Sequence, residues 1–227
     1  RVKVGLLLKF RRLLALILLF VIVLGTATAH KAAGDTPGYN DNMFSYDRSN
    51  SYMNYLEKYK DAPRPDISIE LNADNCLEQG LNSAQVSYDK NEEKKVLIFD
   101  QNNREASWVV DMPQAGLFNM SMVFKTLEGK GKDIDISVGI DGKLPFDSAD
   151  SFIFKRVWQN ETEILHDSWG NDIRPKQKEQ HIWQSKVFKN SQGVYYEDCL
   201  FYFKKGKNKL TIQNNGEAFI LDSLIIH

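Results

Sequence analysis

Two segments of the chain, residues 108–124 and 206–226, each have the pattern of a β-strand, a turn and a second β-strand. In the first, apolar residues starting at Trp108 lead into a Pro-Gln-Ala-Gly turn, and a second apolar stretch leaves it. In the second, a Gly-Lys-Asn turn precedes two further apolar stretches. Proline, glycine and asparagine between apolar runs are typical of strand connections. Such strands have to bury one face against a second layer, which restricts the chain to packed β-sheets.

Short apolar or alternating stretches continue from residue 66 to the end of the chain. We expect strands at residues 67–71, 96–99, 107–111, 117–126, 134–140, 152–158, 182–188, 199–203, 209–213 and 219–226. This many short strands, separated by Gly, Asn and Asp turns, predicts an all-β fold with two sheets packed as a β-sandwich. About 160 residues are ample for one such core. We therefore predict a β-sandwich binding domain over residues 66–227.

Residues 1–29 are a separate, hydrophobic N-terminal segment. Five basic residues lie within residues 1–12, an apolar run follows at 13–24, and Ala27-x-Ala29 fits a signal-peptidase site. This layout is that of a secretory signal peptide. A retained membrane anchor stays open, because the run is short for the roughly 20 residues of a span but could be extended towards the N-terminus. Either way we expect export to the cell surface or outside, with membrane contact only through residues 1–29.

The net charge of residues 1–29 differs in sign from that of the rest of the chain. Five of the 29 basic residues precede residue 13 and no acidic residue precedes Asp35, so the remainder has 24 basic and 30 acidic residues, a net charge of −6. A nucleic-acid surface needs clustered positive charge. The composition therefore argues against nucleic-acid binding.

Residues 30–65 are predicted to be a linker with a short helix. Residues 30–50 are rich in Gly, Asp, Asn and Ser. Residues 50–60 place Tyr52, Tyr55, Leu56 and Tyr59 on one helical face, and the two prolines of Pro-Arg-Pro65 end the helix. We expect the helix either to dock on the domain or to act as a spacer near the membrane.

The chain has two cysteines, Cys76 and Cys199. In an exported protein they could form a disulfide that closes a long loop. The alternative is two unpaired, partly buried thiols.

Several motifs occur in the order found in a known group of binding modules. They are Trp108, Pro113, Gly116 and Phe118 in the middle, then Gly206-Lys-Asn208-Lys-Leu210 and Asp222-Ser223-Leu224 at the end. This pattern resembles the galactose-binding-like jelly roll of carbohydrate-binding modules, in particular the family 6 and family 35 type. The resemblance implies a jelly roll that binds carbohydrate without catalysis.

In those families a structural calcium often joins the first and last strands. The resemblance implies that Glu70 and Asp222 supply its oxygen ligands, and backbone carbonyls usually complete the shell. The first strand departs from the family, since it has Ile-Glu where Ala-Glu is frequent. The alternative is that Asp222 caps a turn and Glu70 is solvated.

The long segment 144–198 has the chemistry of a saccharide site. Sugar rings stack their C–H faces on aromatic planes, and their hydroxyls need paired donors and acceptors. The predicted ligand-binding residues are Trp169, Asn171, Asp172, Arg174, Tyr195 and Tyr196. Trp169 lies in a polar turn and is expected to be exposed. Trp158 and Trp183 lie in apolar patterns and are expected to be buried.

The same region resembles the N-terminal domain of certain clostridial surface proteins. The matching segments are WGNDIRPKQ, from Trp169, and GVYYEDCLFYFKKGKN, from Gly193. Those proteins attach such a domain to the sugar-binding component of an ABC transporter. The resemblance implies an oligosaccharide or cell-wall glycan as ligand and a downstream solute-binding domain or transporter as partner.

Motifs of catalysis are absent from the sequence. The four histidines form no HExxH, and there is no GxSxG, P-loop or GxGxxG. We therefore predict a binding protein and not an enzyme, although acidic residues such as Glu161 and Glu197 leave a glycosidase open. The other alternative is a structural or protein-interaction β-sandwich without a sugar ligand.

Overall fold

The computed structural model describes residues 50–77, 82–90, 93–191, 193 and 195–227. The predicted export segment and residues 30–49 of the predicted linker lie outside these ranges. Within the described ranges, no helix has both the length and the apolar character to cross a membrane.

Two antiparallel sheets form the sandwich, and this confirms the predicted all-β, two-sheet fold. The larger sheet contains β1 (Ile69–Asn72), β2 (Gln85–Asp89), β3 (Lys94–Phe99), β5 (Gly116–Thr126), β12 (Trp183–Val187), β13 (Leu200–Phe203) and β15 (Phe219–Ile226). The smaller sheet has the order β4 (Glu105–Met112), β14 (Gly206–Asn214), β6 (Ile134–Ile140) and β7 (Phe152–Phe154). Strands β5 and β15 pair at the centre of the larger sheet. Strand β5 pairs with β13 near its start and with β12 near its end.

Aromatic side chains fill the space between the sheets. Trp108 is fully buried, and its Nε1 donates a hydrogen bond to the Asn72 carbonyl at 2.9 Å. Phe99 and Phe219 stack with their ring centroids 4.6 Å apart. Burying one such side chain contributes roughly 1.5–3 kcal/mol. The Trp108 hydrogen bond therefore connects β4 of the smaller sheet to β1 of the larger one, and the stacked rings strengthen the pairing of β3 with β15.

The predicted helix forms as α1 (Tyr52–Lys58) and docks on the sandwich. Ser51 caps it by accepting a hydrogen bond from the Asn54 N–H at 3.3 Å. The buried hydroxyls of Tyr52 and Tyr55 accept hydrogen bonds from the backbone N–H groups of Leu200 at 2.9 Å and Tyr202 at 2.5 Å. Strand β13 pairs with β5 on its other side. The two tyrosine hydroxyls therefore satisfy backbone N–H groups on the edge of β13 that would otherwise be unpaired.

The Pro-x-x-Gly turn has its glycine because another segment of chain crosses it. The Leu117 N–H donates to the Pro63 carbonyl at 2.9 Å. A Cβ added to Gly116 would lie 2.5 Å from Cδ of Pro65 and 2.7 Å from the carbonyl oxygen of Pro63. Residues 63–65 pack directly on the start of β5, so only glycine fits there.

The Gly-Lys-Asn turn is held by one buried amide. Gly206 has a φ of +85°, which favours glycine. Asn208 accepts from the Lys204 N–H at 3.1 Å and donates to the carbonyls of Lys204 and Gly206, each at 2.8 Å. This explains why the motif has an asparagine two residues after the glycine.

The structure corrects some strand predictions. Strand β2 was not expected, because Gln85–Asp89 has no buried apolar face. The single strand predicted at 152–158 is two strands, β7 and β8 (Val157–Asn160), because the Arg156 side chain between them is buried. The first strand starts at Ile69 and not at residue 67.

Both cysteines are free thiols. Cys199 is fully buried, and burial raises the pKa of its thiol to about 12. Cys76 is half-buried, and burial raises the pKa of its thiol as well. The structure therefore contains two unpaired thiols and no disulfide between Cys76 and Cys199.

The docking of α1 can be tested by removing one hydroxyl. Tyr52→Phe leaves the buried Leu200 N–H without its partner, so we expect the free energy of unfolding to fall by about 1–3 kcal/mol. The measurement is urea denaturation followed by circular dichroism. Tyr196→Phe, at a side chain that is 92% exposed, is the control and should change nothing. Equal stability of the two variants would contradict the role assigned to Tyr52.

The close approach at Gly116 gives a second prediction. Gly116→Ala forces residues 63–65 away from β5, and we expect a loss of about 1–3 kcal/mol, as for overpacking in a core. The control is Gly216→Ala, whose added Cβ would lie 3.5 Å from its nearest neighbours, an ordinary contact. Thermal unfolding of both variants compares the two positions. A Gly116→Ala protein as stable as the parent would show that the crossing segment is not packed there.

Candidate functional site

Residues 157–180 form an extended arm that consists of two short β-ribbons in succession. The first pairs β8 with β11 (Gln177–Gln180), and the second pairs β9 (Leu165–His166) with β10 (Asp172–Ile173). Most of its side chains are exposed, including apolar ones on both ribbons. We call residues 165–173 the tip hairpin of the arm.

One carboxylate organises the turn of the tip hairpin. Asp167 Oδ1 accepts hydrogen bonds from the N–H groups of Trp169 at 2.8 Å and Asn171 at 2.9 Å, and Oδ2 accepts from Asn171 Nδ2 at 3.0 Å. Hydrogen bonds from Asn171, that of its side chain foremost, lower the pKa of Asp167. Gly170 has a φ of +82°, as the tight turn requires. The turn is therefore held in one conformation by its own hydrogen bonds.

Trp169 projects from this turn into solvent. Its side chain is 87% exposed, which agrees with the expectation from its polar surroundings. Asn171, Asp172 and Arg174 are exposed beside it in sequence. Asp172 Oδ1 lies 2.9 Å from His166 Nδ1 across the hairpin. The structure thus places three of the six predicted ligand-binding residues on the tip hairpin and a fourth, Arg174, directly after it.

The other two predicted residues, Tyr195 and Tyr196, lie on the segment that precedes β13. The Tyr195 ring packs edge-on against Tyr52 of α1, with centroids 5.1 Å apart. Tyr196 is 92% exposed. In the part of the chain that the structure describes, no hydrogen bond or ring contact connects either tyrosine to the tip hairpin.

The expected burial of Trp158 is wrong, and Trp183 is only half-buried. Trp158 is 46% exposed because β8 belongs to the arm and not to a packed sheet. Its ring lies beside Gly131. Trp183 lies on β12 close to two ammonium groups, with Lys94 Nζ 4.9 Å and Lys125 Nζ 4.7 Å from its ring centroid.

The base of the arm is anchored by Arg156, which sequence reasoning did not single out. Its fully buried guanidinium pairs with Glu179 of β11 and donates to the carbonyls of Leu127 at 2.8 Å and Lys132 at 2.5 Å. Glu217 Oε2 lies 3.6 Å from it. Thr126 Oγ1 also donates to Glu179 at 3.0 Å. The apolar periodicity around Arg156 gave no signal of a buried charge.

Glu70 and Asp222 line one surface depression of about 510 Å³, together with Asn72 and two lysines. Strand β1, which carries Glu70, pairs with β15, which carries Asp222. Lys94 Nζ lies 2.9 Å from Asp222 Oδ1, and Lys95 Nζ pairs with Asp74 at 2.6 Å. An ammonium group therefore already provides the cation at Asp222.

These residues do not fit a calcium ion unless Lys94 moves away. Among the described residues, no three His, Cys, Asp or Glu side chains converge as metal ligands would. The bulge of β15, where the register with β5 shifts between Leu221 and Ser223, leaves Asp222 unpaired in that ladder. The calcium site stays a prediction from the sequence resemblance.

No protein-family model matches the chain, and no curated protein matches it significantly. The chain is similar to several solved structures. The chain is similar over 70% of its length to a family 35 carbohydrate-binding module from Clostridium thermocellum, with 11% identity, 97% of that chain covered and a TM-score of 0.42. A family 35 module from an environmental isolate matches with 12% identity, 70% of this chain and 92% of that chain covered, and a TM-score of 0.41.

A third similar structure is the GH26-CBM35 β-(1,4)-mannanase from Podospora anserina. The match has 14% identity and a TM-score of 0.41, and it covers 71% of this chain but 28% of that enzyme. Each of these three structures is, or contains, a family 35 carbohydrate-binding module.

Proposed function

We propose that this chain is a non-catalytic, extracellular carbohydrate-binding module with its ligand surface on the tip hairpin. The observation that carries the proposal is the Trp169 side chain, 87% exposed on a turn that Asp167 holds in place. A large indole ring gains most when an apolar surface covers it. The C–H face of a sugar is such a surface, and a fixed turn presents the ring at little cost in conformational entropy.

Polar groups beside Trp169 can orient a sugar through its hydroxyls. The contacts within the hairpin use Asn171 Nδ2 and Asp172 Oδ1. In the described part of the chain, Asn171 Oδ1 and Asp172 Oδ2 form no hydrogen bond of their own, so both can act as acceptors. The exposed guanidinium of Arg174 supplies donors. The indole would thus provide stacking, and these three side chains would fix the orientation of the ligand.

The proposed setting is the cell surface. Residues 1–29 have the pattern of an export signal or anchor, and the sequence resembles domains that precede sugar-binding components of ABC transporters. We propose that the module holds an oligosaccharide or cell-wall glycan for a transport or glycan-processing system. Its partner would be a downstream solute-binding domain or transporter.

A second candidate is a protein-interaction domain that docks through the arm. Apolar side chains beyond Trp169 are exposed there, among them Leu165 (60%), Ile164 (51%) and Ile173 (48%). Exposed apolar surface of this kind often marks contacts with proteins. Leu165 and Ile173 are cross-strand neighbours, so they form one continuous surface.

The Trp169 assignment can be tested with a glycan array and matched variants of residues 30–227. We expect saturable binding to at least one glycan, weakened roughly tenfold or more by Trp169→Ala and less by Trp169→Phe, which keeps an aromatic ring. Leu165→Ala is the control, because it removes exposed apolar surface from the same hairpin without removing a ring. Titration calorimetry with the best glycan measures each affinity.

Three outcomes would count against the proposal. Full affinity in Trp169→Ala would remove the ligand from the tip hairpin. A folded protein that binds no glycan on the array would favour the protein-interaction candidate. Release of new reducing ends from the bound glycan would contradict a non-catalytic role.

The predicted calcium can be tested against the Lys94 ion pair. With Lys94 in place, we expect the melting temperature to be the same with EDTA and with millimolar calcium. In Lys94→Met, which removes the ammonium group from Asp222, we expect calcium to raise the melting temperature. A calcium response of the parent protein that is lost in Asp222→Asn would instead support the site implied by the resemblance and contradict our reading of Lys94.

A further inference from the structure

A second concave site lies at the end of the sandwich where α1 docks. It is a pocket of about 310 Å³ between α1, the connection after β6 and the β13–β14 turn. Its lining includes Tyr59, Tyr202, Lys58, Lys143, Lys204 and Asp141. Small-molecule sites have volumes of roughly 300–1,000 Å³. We call it the helix pocket; it is large enough for one small ligand.

The aromatic wall of the helix pocket is fixed by contacts on three sides. Tyr59 and Tyr202 stack with centroids 4.0 Å apart and ring planes 10° apart. The Tyr202 N–H donates to the Tyr55 hydroxyl at 2.5 Å. Asn208 holds the neighbouring turn through its three hydrogen bonds. A ligand would find this wall already formed.

The charges in the helix pocket do not balance. Its lining has three lysines and one carboxylate, Asp141. Asp141 is already engaged, since Oδ2 accepts from Lys204 Nζ at 2.6 Å and Oδ1 accepts from the Lys209 N–H at 2.9 Å. Lys58 Nζ lies 5.0 Å from the Tyr59 ring centroid, and in the described ranges neither Lys58 nor Lys143 has a carboxylate within ion-pair distance. Two positive charges are therefore left without an anion.

The geometry points to a phosphate monoester of sugar size as the ligand of the helix pocket. A phosphate monoester carries about −1.5 to −2 charges at pH 7 and matches both uncompensated lysines, whereas a carboxylate matches one. Lysine binds phosphate as a point charge and needs no fixed geometry. The apolar body of the ligand lies against Leu144, Pro145 and the tyrosine wall.

This site is separate from the tip hairpin. Strand β5 runs from Gly116, which pairs with Phe203 beside the helix pocket, to Thr126, which bonds Glu179 at the base of the arm. The helix pocket and the base of the arm therefore lie near opposite ends of the same strand. Binding at the helix pocket does not depend on the proposed glycan site, and Trp169→Ala should leave it unchanged.

The experiment is a titration of residues 30–227 with glucose 6-phosphate, in which ¹H–¹⁵N NMR spectra are recorded at each ligand concentration. We expect saturable shifts of the amide signals of residues 202–208 and 140–144. Lys143→Gln or Lys58→Gln should each weaken binding about tenfold or more. The matched control is Lys207→Gln, which removes an exposed charge on β14 that does not line the pocket. Glucose, glucuronate and inorganic phosphate are the comparison ligands.

Every outcome of this titration either supports or overturns the proposed phosphate site. Binding of glucose 6-phosphate that exceeds that of glucose and glucuronate, and that depends on Lys143 and Lys58 but not on Lys207, supports the inference. Equal binding of inorganic phosphate would show an adventitious anion only and overturn it. An equal loss of affinity in Lys207→Gln would also overturn it, and so would glucose or glucuronate that binds as tightly as glucose 6-phosphate. The absence of saturable shifts at millimolar glucose 6-phosphate would overturn it as well.

Discussion

The buried guanidinium of Arg156 determines how the candidate ligand site is attached to the sandwich. Removing a charge from water costs several kcal/mol unless partners replace the lost hydration. Here the partners come from three places: Glu179 on the arm, Glu217 in the β14–β15 turn, and the carbonyls of Leu127 and Lys132 between β5 and β6. Glu179 is the partner that the arm supplies, so moving the base of the arm away would take this carboxylate from a buried charge.

At the other end of the sandwich, neutral backbone groups also need hydrogen-bond partners. The edge of β13 has backbone N–H groups that need acceptors, and the hydroxyls of Tyr52 and Tyr55 provide them. The helix that brings these hydroxyls also brings Tyr59, which stacks on Tyr202 and forms the wall of the helix pocket. The docking of α1 therefore both covers the edge of β13 and forms the helix pocket.

The sheets could be predicted from the sequence because their strands alternate or are continuously apolar. Strand β6 was predicted at residues 134–140 and strand β15 at residues 219–226, and the structure has both at these bounds. The turns at Gly116 and Gly206 could be predicted because backbone geometry there demands particular residues. Strand β2 escaped prediction because an edge strand with few buried side chains has no periodic signal.

The arm could be predicted only in part. The polar surroundings of Trp169 correctly indicated an exposed ring, whereas the apolar pattern around Trp158 wrongly indicated burial. The exposure of a strand residue depends on which layer the strand joins and not only on its own sequence. Arg156 lies between β7 and β8 and anchors the base of the arm through Glu179, a contact that the local sequence pattern does not show. Nor could the sequence show that Lys94 reaches Asp222, because the ion pair connects two strands that are far apart in the chain.

Our central claim is that a fixed hairpin presents Trp169 to a glycan. The most direct measurement is the set of four indole N–H signals in the ¹H–¹⁵N NMR spectrum, recorded while the glycan selected by the array is added. We predict that the Trp169 signal shifts to saturation, whereas the signal of Trp108, which is buried and hydrogen-bonded to the Asn72 carbonyl, stays in place. Saturable binding that leaves the Trp169 signal unmoved would contradict it.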